Sequence, residues 1–211
     1  CTEPSQQQQQ QLMFVGGTIG LNAYLMEGMP PEMTYDGGNS PFAFGIAIEN
    51  KGETDVGPGT DNPFIMVRLE GINPEQFGMT DADMRQMVDV PLAGSQRNFD
   101  GTIFPGEMTV VTFEPLNYLP DIHGNVQFTI RADLCYDYET IGSAQICIKD
   151  DVLESVEDTS LCLVRGEKVV QNSGGPVQVT HVTENPMAQN KIQVNFVIEQ
   201  VSDVGEFFGR P

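Results

Sequence analysis

Side-chain oxygens gather in three stretches of the sequence that are typical of loops, and loop oxygens are the ligands that calcium takes in proteins. The stretches are residues 36–39, Asp55 with Asp61, and Asp81 with Asp83. None of them has the spacing of an EF-hand loop. Asp and Asn are also common in turns, because they tolerate turn backbone angles. The sequence favours solvated turn residues, leaves calcium as the alternative, and predicts no other cofactor.

Residues suited to catalysis are scarce and form no known pattern. The sequence has no nucleophile elbow, phosphate-binding glycine loop, HExxH zinc helix or dinucleotide fingerprint. Its two histidines, His123 and His181, lie far apart, one in a turn-like segment and one in a strand-like segment. Carboxylates are abundant, but the absence of Trp leaves few aromatic platforms for a sugar substrate. We therefore predict that the protein is not an enzyme.

Three cysteines, Cys135, Cys147 and Cys162, cluster in one region with spacings that fit neither a zinc site nor a CxxC redox motif. Strand alternation places Cys135 and Cys147 among polar residues, where the thiols of an exported protein would be oxidised. One predicted disulfide joins Cys147 to Cys162. The alternative joins Cys135 to Cys147 across a hairpin. The first is favoured because it closes a loop, worth about 3 kcal/mol in the chain-entropy model, without a strained cross-strand bridge.

The sequence begins with Cys1 and a polar run that contains six consecutive glutamines. This arrangement resembles that of mature lipoproteins, in which a lipid-modified cysteine is followed by a flexible polar tether. The resemblance implies that Cys1 is acylated, that residues 1–11 are the tether, and that the protein is extracellular at the cell surface. Contact with a membrane is then expected only through the lipid.

Acidic residues dominate the charge, with 30 Asp and Glu against 10 Lys and Arg and a formal net charge of −20. Such a field repels nucleic acid and anionic lipid headgroups, so nucleic acid is excluded as a partner. The acidity favours solubility and resistance to non-specific association.

Short apolar runs separated by Gly, Pro, Asn and Asp predict an all-β fold. Only residues 80–87 have a helical pattern, with Thr80 and Asp83 as a capping pair, and residues 94–106 and 115–124 are predicted to be loops. The predicted strands are residues 12–15, 19–27, 41–49, 64–69, 107–114, 125–138, 143–149, 161–164, 177–184 and 191–201.

The clearest strand alternates large and small side chains. Phe42, Phe44, Ile46 and Ile48 share one face, which we predict to be core. Small residues at 43, 45 and 47 form the other face. That face predicts close packing, either by a strand layer, glycan or neighbouring subunit, or by a loop over a central strand.

Two distant segments share a strand–break–strand order that ends in Asp-Val-Gly. The first covers residues 21–57 and the second covers residues 177–205, with Pro186 as the predicted break. We therefore predict a domain over residues 12–170, and a second, incomplete β unit over residues 171–211.

A two-stranded unit would leave an apolar face open to water, because an isolated hairpin is marginally stable. That acceptor face is predicted to comprise Ile192, Val194, Phe196 and Ile198. A strand donated by a neighbouring molecule would cover it, and the apolar segment after the tether is the predicted donor: Leu12, Met13, Phe14 and Val15. The alternative makes residues 12–15 the first edge strand of their own domain.

The run PFAFGIAIENKGETDVG at residues 41–57 resembles the core strand and turn of cell-adhesion-related immunoglobulin-like domains of archaeal and bacterial surface proteins, with Asn50, Lys51 and Gly52 as the turn. The resemblance implies an immunoglobulin-like β-sandwich. The chain lacks the Trp and the cysteine spacing of antibody domains.

From these observations we predict a non-catalytic structural protein, a homo-oligomer or polymer whose copies join by strand sharing into a surface filament or pilus-like structure. The alternative is a monomeric cell-surface lipoprotein that binds a ligand or another protein through the loops of its sandwich.

Overall fold

The computed structural model describes residues 14–149, 162–188 and 190–206. The predictions for Cys1, for the tether, and for Leu12 and Met13 lie outside the described residues. The described chain is all-β, as predicted, and its strands pair antiparallel throughout. Among the described residues, no helix has the length and apolar character needed to cross a membrane.

The strands, in chain order, are β1 (Leu21–Leu25), β2 (Phe42–Asn50), β3 (Ile65–Glu70), β4 (Arg85–Met87), β5 (Gln96–Arg97), β6 (Ile103–Phe104), β7 (Met108–Leu116), β8 (Arg131–Tyr136), β9 (Gly142–Ala144), β10 (Gly166–Lys168), β11 (Val170–Asn172), β12 (Val177–Ala188) and β13 (Lys191–Gln200).

The chain forms two compact units, and their boundaries differ from the predicted ones. Residues 20–95 and 105–139 form one, here called the sandwich unit. The described residues of the other, here called the hairpin unit, are 14–19, 96–104, 140–149, 162–188 and 190–206. The predicted boundary at residue 170 is wrong. Strands β9 and β10 precede it in the sequence, but β9 pairs with β11 and β10 pairs with β12, so both sides of residue 170 belong to one unit.

The sandwich unit contains two three-stranded sheets, β1-β2-β7 and β4-β3-β8, which contribute to one hydrophobic core. Alternation puts every second residue of a strand on one face. Phe44, Ile46 and Ile48 of β2 are buried, as predicted, and belong to the same core as residues of β3 and β7. The core residues of those two strands are Ile65, Val67, Leu69, Val111, Phe113 and Leu116.

The small-residue face of β2 is covered by the chain's own turn. β2 is the central strand of its sheet, and Ala47 is buried. A Cβ atom added at Gly45 would lie 3.0 Å from Met29 Sδ and 3.2 Å from Met26 Cβ. The close packing expected from the sequence is therefore present, and of the two alternatives a loop over a central strand is the one observed.

The predicted helix at residues 80–87 is wrong. Residues 81–84 form turns, and Arg85–Met87 is β4, which pairs with Met66 to Arg68 of β3. The predicted contact between Thr80 and Asp83 forms, but in a turn and not at the start of a helix. Asp83 Oδ2 accepts hydrogen bonds from Thr80 N at 2.8 Å and from Thr80 Oγ1 at 2.6 Å. A short 3₁₀ helix, Pro74–Phe77, was not predicted.

Other strand predictions also differ from the structure. Residues 14 and 15 are not in a strand, and neither are residues 162–164 of the predicted strand 161–164. Of the predicted strand 143–149, only the beginning pairs, as β9. Pro186 does not end its strand, because β12 continues through it and pairs it with Ile192.

The hairpin unit contains the sheet β10-β12-β13 and the pairs β9–β11 and β5–β6. The predicted two-stranded unit therefore has a third strand, β10. Among its described apolar residues, only Cys147 and Val182 are buried. Every other buried hydrophobic residue of the described chain lies in the sandwich unit. The described part of the hairpin unit thus leaves much of its apolar surface in water.

Candidate functional site

Strand β13 is the most exposed apolar strand of the hairpin unit. Its sequence, KIQVNFVIEQ, alternates apolar with polar residues up to Phe196 and is rich in β-branched residues, which favours a strand. It lies at the end of the order β10-β12-β13, so among the described strands β12 is its only neighbour. One backbone edge of β13 is therefore without a strand partner in the described chain.

The face of β13 that was predicted to accept a strand is open to solvent. Phe196 is 62% exposed, Ile198 58% and Val194 39%, while Ile192 is half-buried. The opposite face is exposed as well, including Val197. Natural edge strands are usually protected by central charges, prolines or bulges. The segment from Ile192 to Ile198 has no charge and no proline.

The neighbouring strand is covered on the same face. Antiparallel partners share a face, and Phe196 pairs with Val182 while Val194 pairs with Glu184. Val182 is 5% exposed and Glu184 is fully buried. On this face the described residues therefore bury β12 but leave β13 exposed.

The buried side chain of Glu184 on β12 contacts both the segment around Cys147 and strand β10. Its Oε2 atom accepts a hydrogen bond from Cys147 N at 2.9 Å and pairs with Lys168 Nζ at 2.9 Å. Lys168 Nζ also donates to the Leu163 carbonyl. Glu184 Oε1 is buried without a hydrogen-bond partner among the described residues. This ion pair was not predicted, and the available sequence signal was the placement of Glu184 on the face of Val182.

The disulfide forms between Cys147 and Cys162, as predicted, with 5.7 Å between the Cα atoms. Cys135 is free and exposed, so the alternative pairing is wrong. Part of the reasoning fails, because Cys147 is buried and Ile146 and Ile148 are exposed. Residues 145–149 are not a strand, and strand alternation does not apply to them.

The described end of the predicted donor segment, and the residues that follow it, make hydrogen bonds within their own unit. The Phe14 carbonyl accepts a hydrogen bond from Arg97 Nε at 3.2 Å. The Gly17 carbonyl accepts from Gly175 N at 3.2 Å and from Gln178 Nε2 at 2.7 Å. Phe14 thus contacts its own chain outside any strand, which does not favour its donation to another molecule.

The calcium candidates do not form a site in the described chain. Asp55 Oδ1 accepts a hydrogen bond from Gly94 N at 2.8 Å, and Asp83 accepts from Thr80. Asp61 and Asp81 are exposed turn residues. No three acidic, histidine or cysteine side chains are grouped to hold a metal ion among the residues that the structure describes.

Comparison of the chain with protein-family models, curated proteins and solved structures finds no significant match. The fold is that of an all-β protein built from antiparallel sheets. The immunoglobulin-like resemblance and the lipoprotein resemblance stay predictions.

Proposed function

We propose that this chain is a non-catalytic structural protein of the cell surface, whose copies assemble by β-strand sharing into a filament or a related polymer. The observation that carries the proposal is β13, an apolar strand that has two exposed faces and one edge with which no strand of the described chain pairs. An edge of this kind is a template for another strand, which satisfies the backbone groups and buries the side chains.

The free energy gained by burying apolar side chains favours the addition of a strand to the edge of β13. Burying apolar surface contributes about 25 cal/mol per Å². The side chains of Val194, Phe196 and Ile198 are available for burial. They lie at alternate positions of one strand and so share one face, where their exposed side chains are neighbours, as is typical of an interaction surface.

The disulfide supports an exported protein. Disulfides persist in oxidising compartments and are rare in the cytosol. The net charge of −20 limits non-specific association between copies, so a stable contact needs a specific, complementary surface.

The test measures the molar mass of the native protein by light scattering over a range of concentrations, with electron microscopy of the same samples. We expect assemblies of two or more copies that dissociate on dilution. Val194→Lys combined with Ile198→Lys should abolish them, because two charges would have to be buried at the edge. Both positions are exposed, so folding should be retained.

Val204→Lys is the matched control, since Val204 is 70% exposed and lies outside any strand. This variant should assemble like the native protein. A native protein that stays monomeric at every concentration would refute the proposal and favour the alternative of a monomeric surface protein with a loop-based binding site.

A further inference from the structure

We infer that the strand that completes β13 is β13 of a second copy, paired antiparallel about a two-fold axis through Asn195. This inference rests on the proposed function, since it names the partner for the same edge. The basis is the self-complementarity of the β13 sequence, KIQVNFVIEQ.

The apolar face matches itself in this register. With Asn195 opposite Asn195 of the second copy, Ile192 faces Ile198, and Val194 faces Phe196. Residues directly opposite in an antiparallel pair share a face and lie about 4.5–5.5 Å apart between Cα atoms. Each apolar position of the predicted acceptor face thus meets an apolar position, twice per dimer.

The charges match in the same register. Lys191 faces Glu199 of the second copy, and Glu199 faces Lys191, which gives two opposite-charge pairs at the two ends of the strand pair. Within the described chain Lys191 has no ion pair, and the Glu199 carboxylate accepts a hydrogen bond from Thr180. Exposed pairs of this kind add little affinity but discriminate between registers.

Other registers lose this match. A slip of one residue in the pairing would put apolar residues opposite polar ones. Moving the two-fold axis by one residue along the strand shifts the pairing by two residues instead. Moving the axis to Phe196 puts Ile192 opposite Gln200 and Lys191 opposite Val201. Moving it to Val194 puts Lys191 opposite Val197. Only the axis through Asn195 pairs both the charges and the apolar residues.

A two-fold contact closes on itself. By this contact alone the protein forms dimers, with β10-β12-β13 of each copy in one continuous six-stranded sheet. A filament then needs a second, different contact on each copy.

Cross-linking through Asn195 tests the axis directly. In a chain with Cys1 and Cys135 replaced by Ser, Asn195→Cys should form a disulfide-linked dimer under a mild oxidant, because opposed Cα atoms lie within disulfide reach. Val197→Cys is the matched control on the same face. Two such cysteines would lie about 13 Å apart in this register, too far to join. Equal cross-linking of both variants would overturn the inference.

A charge exchange tests the register without cysteines. Lys191→Glu and Glu199→Lys should each weaken dimerisation about tenfold, since each places like charges opposite at both ends. The double variant, with both exchanges, should restore the native dissociation constant. Single variants that dimerise like the native protein would overturn the register.

Removal of residues 1–13 separates this inference from the proposed function. Dimers should persist in the shortened chain if β13 pairs with itself. If the native protein associates but the shortened chain does not, the N-terminal segment is the donor, so strand sharing holds and the β13 pair is wrong. If the native protein does not associate at all, both proposals fail.

Discussion

Lys168 Nζ lies 2.9 Å from Glu184 Oε2, and the two side chains form the most deeply buried ion pair of the described chain. The Glu184 side chain is fully buried and that of Lys168 is 11% exposed. A carboxylate in such a place is stable only when its charge is compensated. This pair, together with the Cys147 amide, connects β10, β12 and the disulfide-bonded segment.

Lys168→Met should lower the free energy of unfolding of the hairpin unit by about 3–5 kcal/mol, because it leaves the buried Glu184 charge without a partner. Combining it with Glu184→Gln should recover much of the loss, since the amide is neutral and can still accept from Cys147 N. Hydrogen exchange of the β12 amides is the measurement. Equal protection in Lys168→Met and the native protein would contradict the prediction.

Loss of the disulfide should destabilise the hairpin unit selectively. The bridge joins residues 15 positions apart, and a loop of that length contributes about 3 kcal/mol in the chain-entropy model. Cys147→Ser with Cys162→Ser should therefore unfold the hairpin unit at lower denaturant concentration. Cys135→Ser is the control, because Cys135 is free and exposed. Amides of the sandwich unit should keep native exchange rates in both variants.

Two tyrosines of the sandwich unit should ionise late as pH rises. Burial raises the pKa of Tyr136 and of Tyr138 above the usual tyrosine value near 10. Because the folded pKa exceeds the unfolded one, their stabilising contribution is fully present below about pH 10 and is lost as pH rises through the folded pKa.

Tyrosinate absorbance during an alkaline titration measures this effect. Tyr136→Phe and Tyr138→Phe should each remove part of the late-titrating absorbance. The Tyr138 hydroxyl oxygen accepts a hydrogen bond from Glu53 N at 3.1 Å, and that of Tyr136 accepts from Leu21 N at 3.3 Å. An unchanged late absorbance in the double variant would contradict the assignment.

Gly71→Ala should destabilise the sandwich unit more than Gly59→Ala does. Both glycines have positive φ, 93° at Gly71 and 85° at Gly59, which costs an L-residue about 1–2 kcal/mol. At Gly71 an added Cβ would also overlap the Thr129 carbonyl oxygen, whereas Gly59 has nothing within 4 Å. Denaturant unfolding monitored at the sandwich unit measures the difference. Equal losses would show that the close approach at Gly71 costs nothing.

The sequence predicted the features that depend on local alternation. β2 and its buried face followed from Phe44, Ile46 and Ile48, because period-two alternation by itself assigns a face. The exposed apolar positions of β13 were predicted in the same way. The disulfide followed from the choice between two loop closures, although Cys147 proved to be buried.

Features that depend on distant partners could not be predicted. Residues 85–87 have good helix formers but pair with β3, so tertiary pairing overrode local preference. Glu184 lies in a run of the sequence with polar neighbours, His181 and Thr183, and such a run is typical of a strand exposed to water. Its burial depends on Lys168 and Cys147, whose positions the strand pattern does not give.

The division of the chain has a consequence for folding during synthesis. Every segment of the sandwich unit has been translated once residue 139 has left the ribosome, whereas the hairpin unit still lacks residues from 140 onward. Domains generally fold as units while the chain emerges. We expect the sandwich unit to close first, with residues 96–104 excluded from it. Strand β13 follows every segment of the sandwich unit in the sequence, so a nascent chain presents this apolar edge only after that unit can fold.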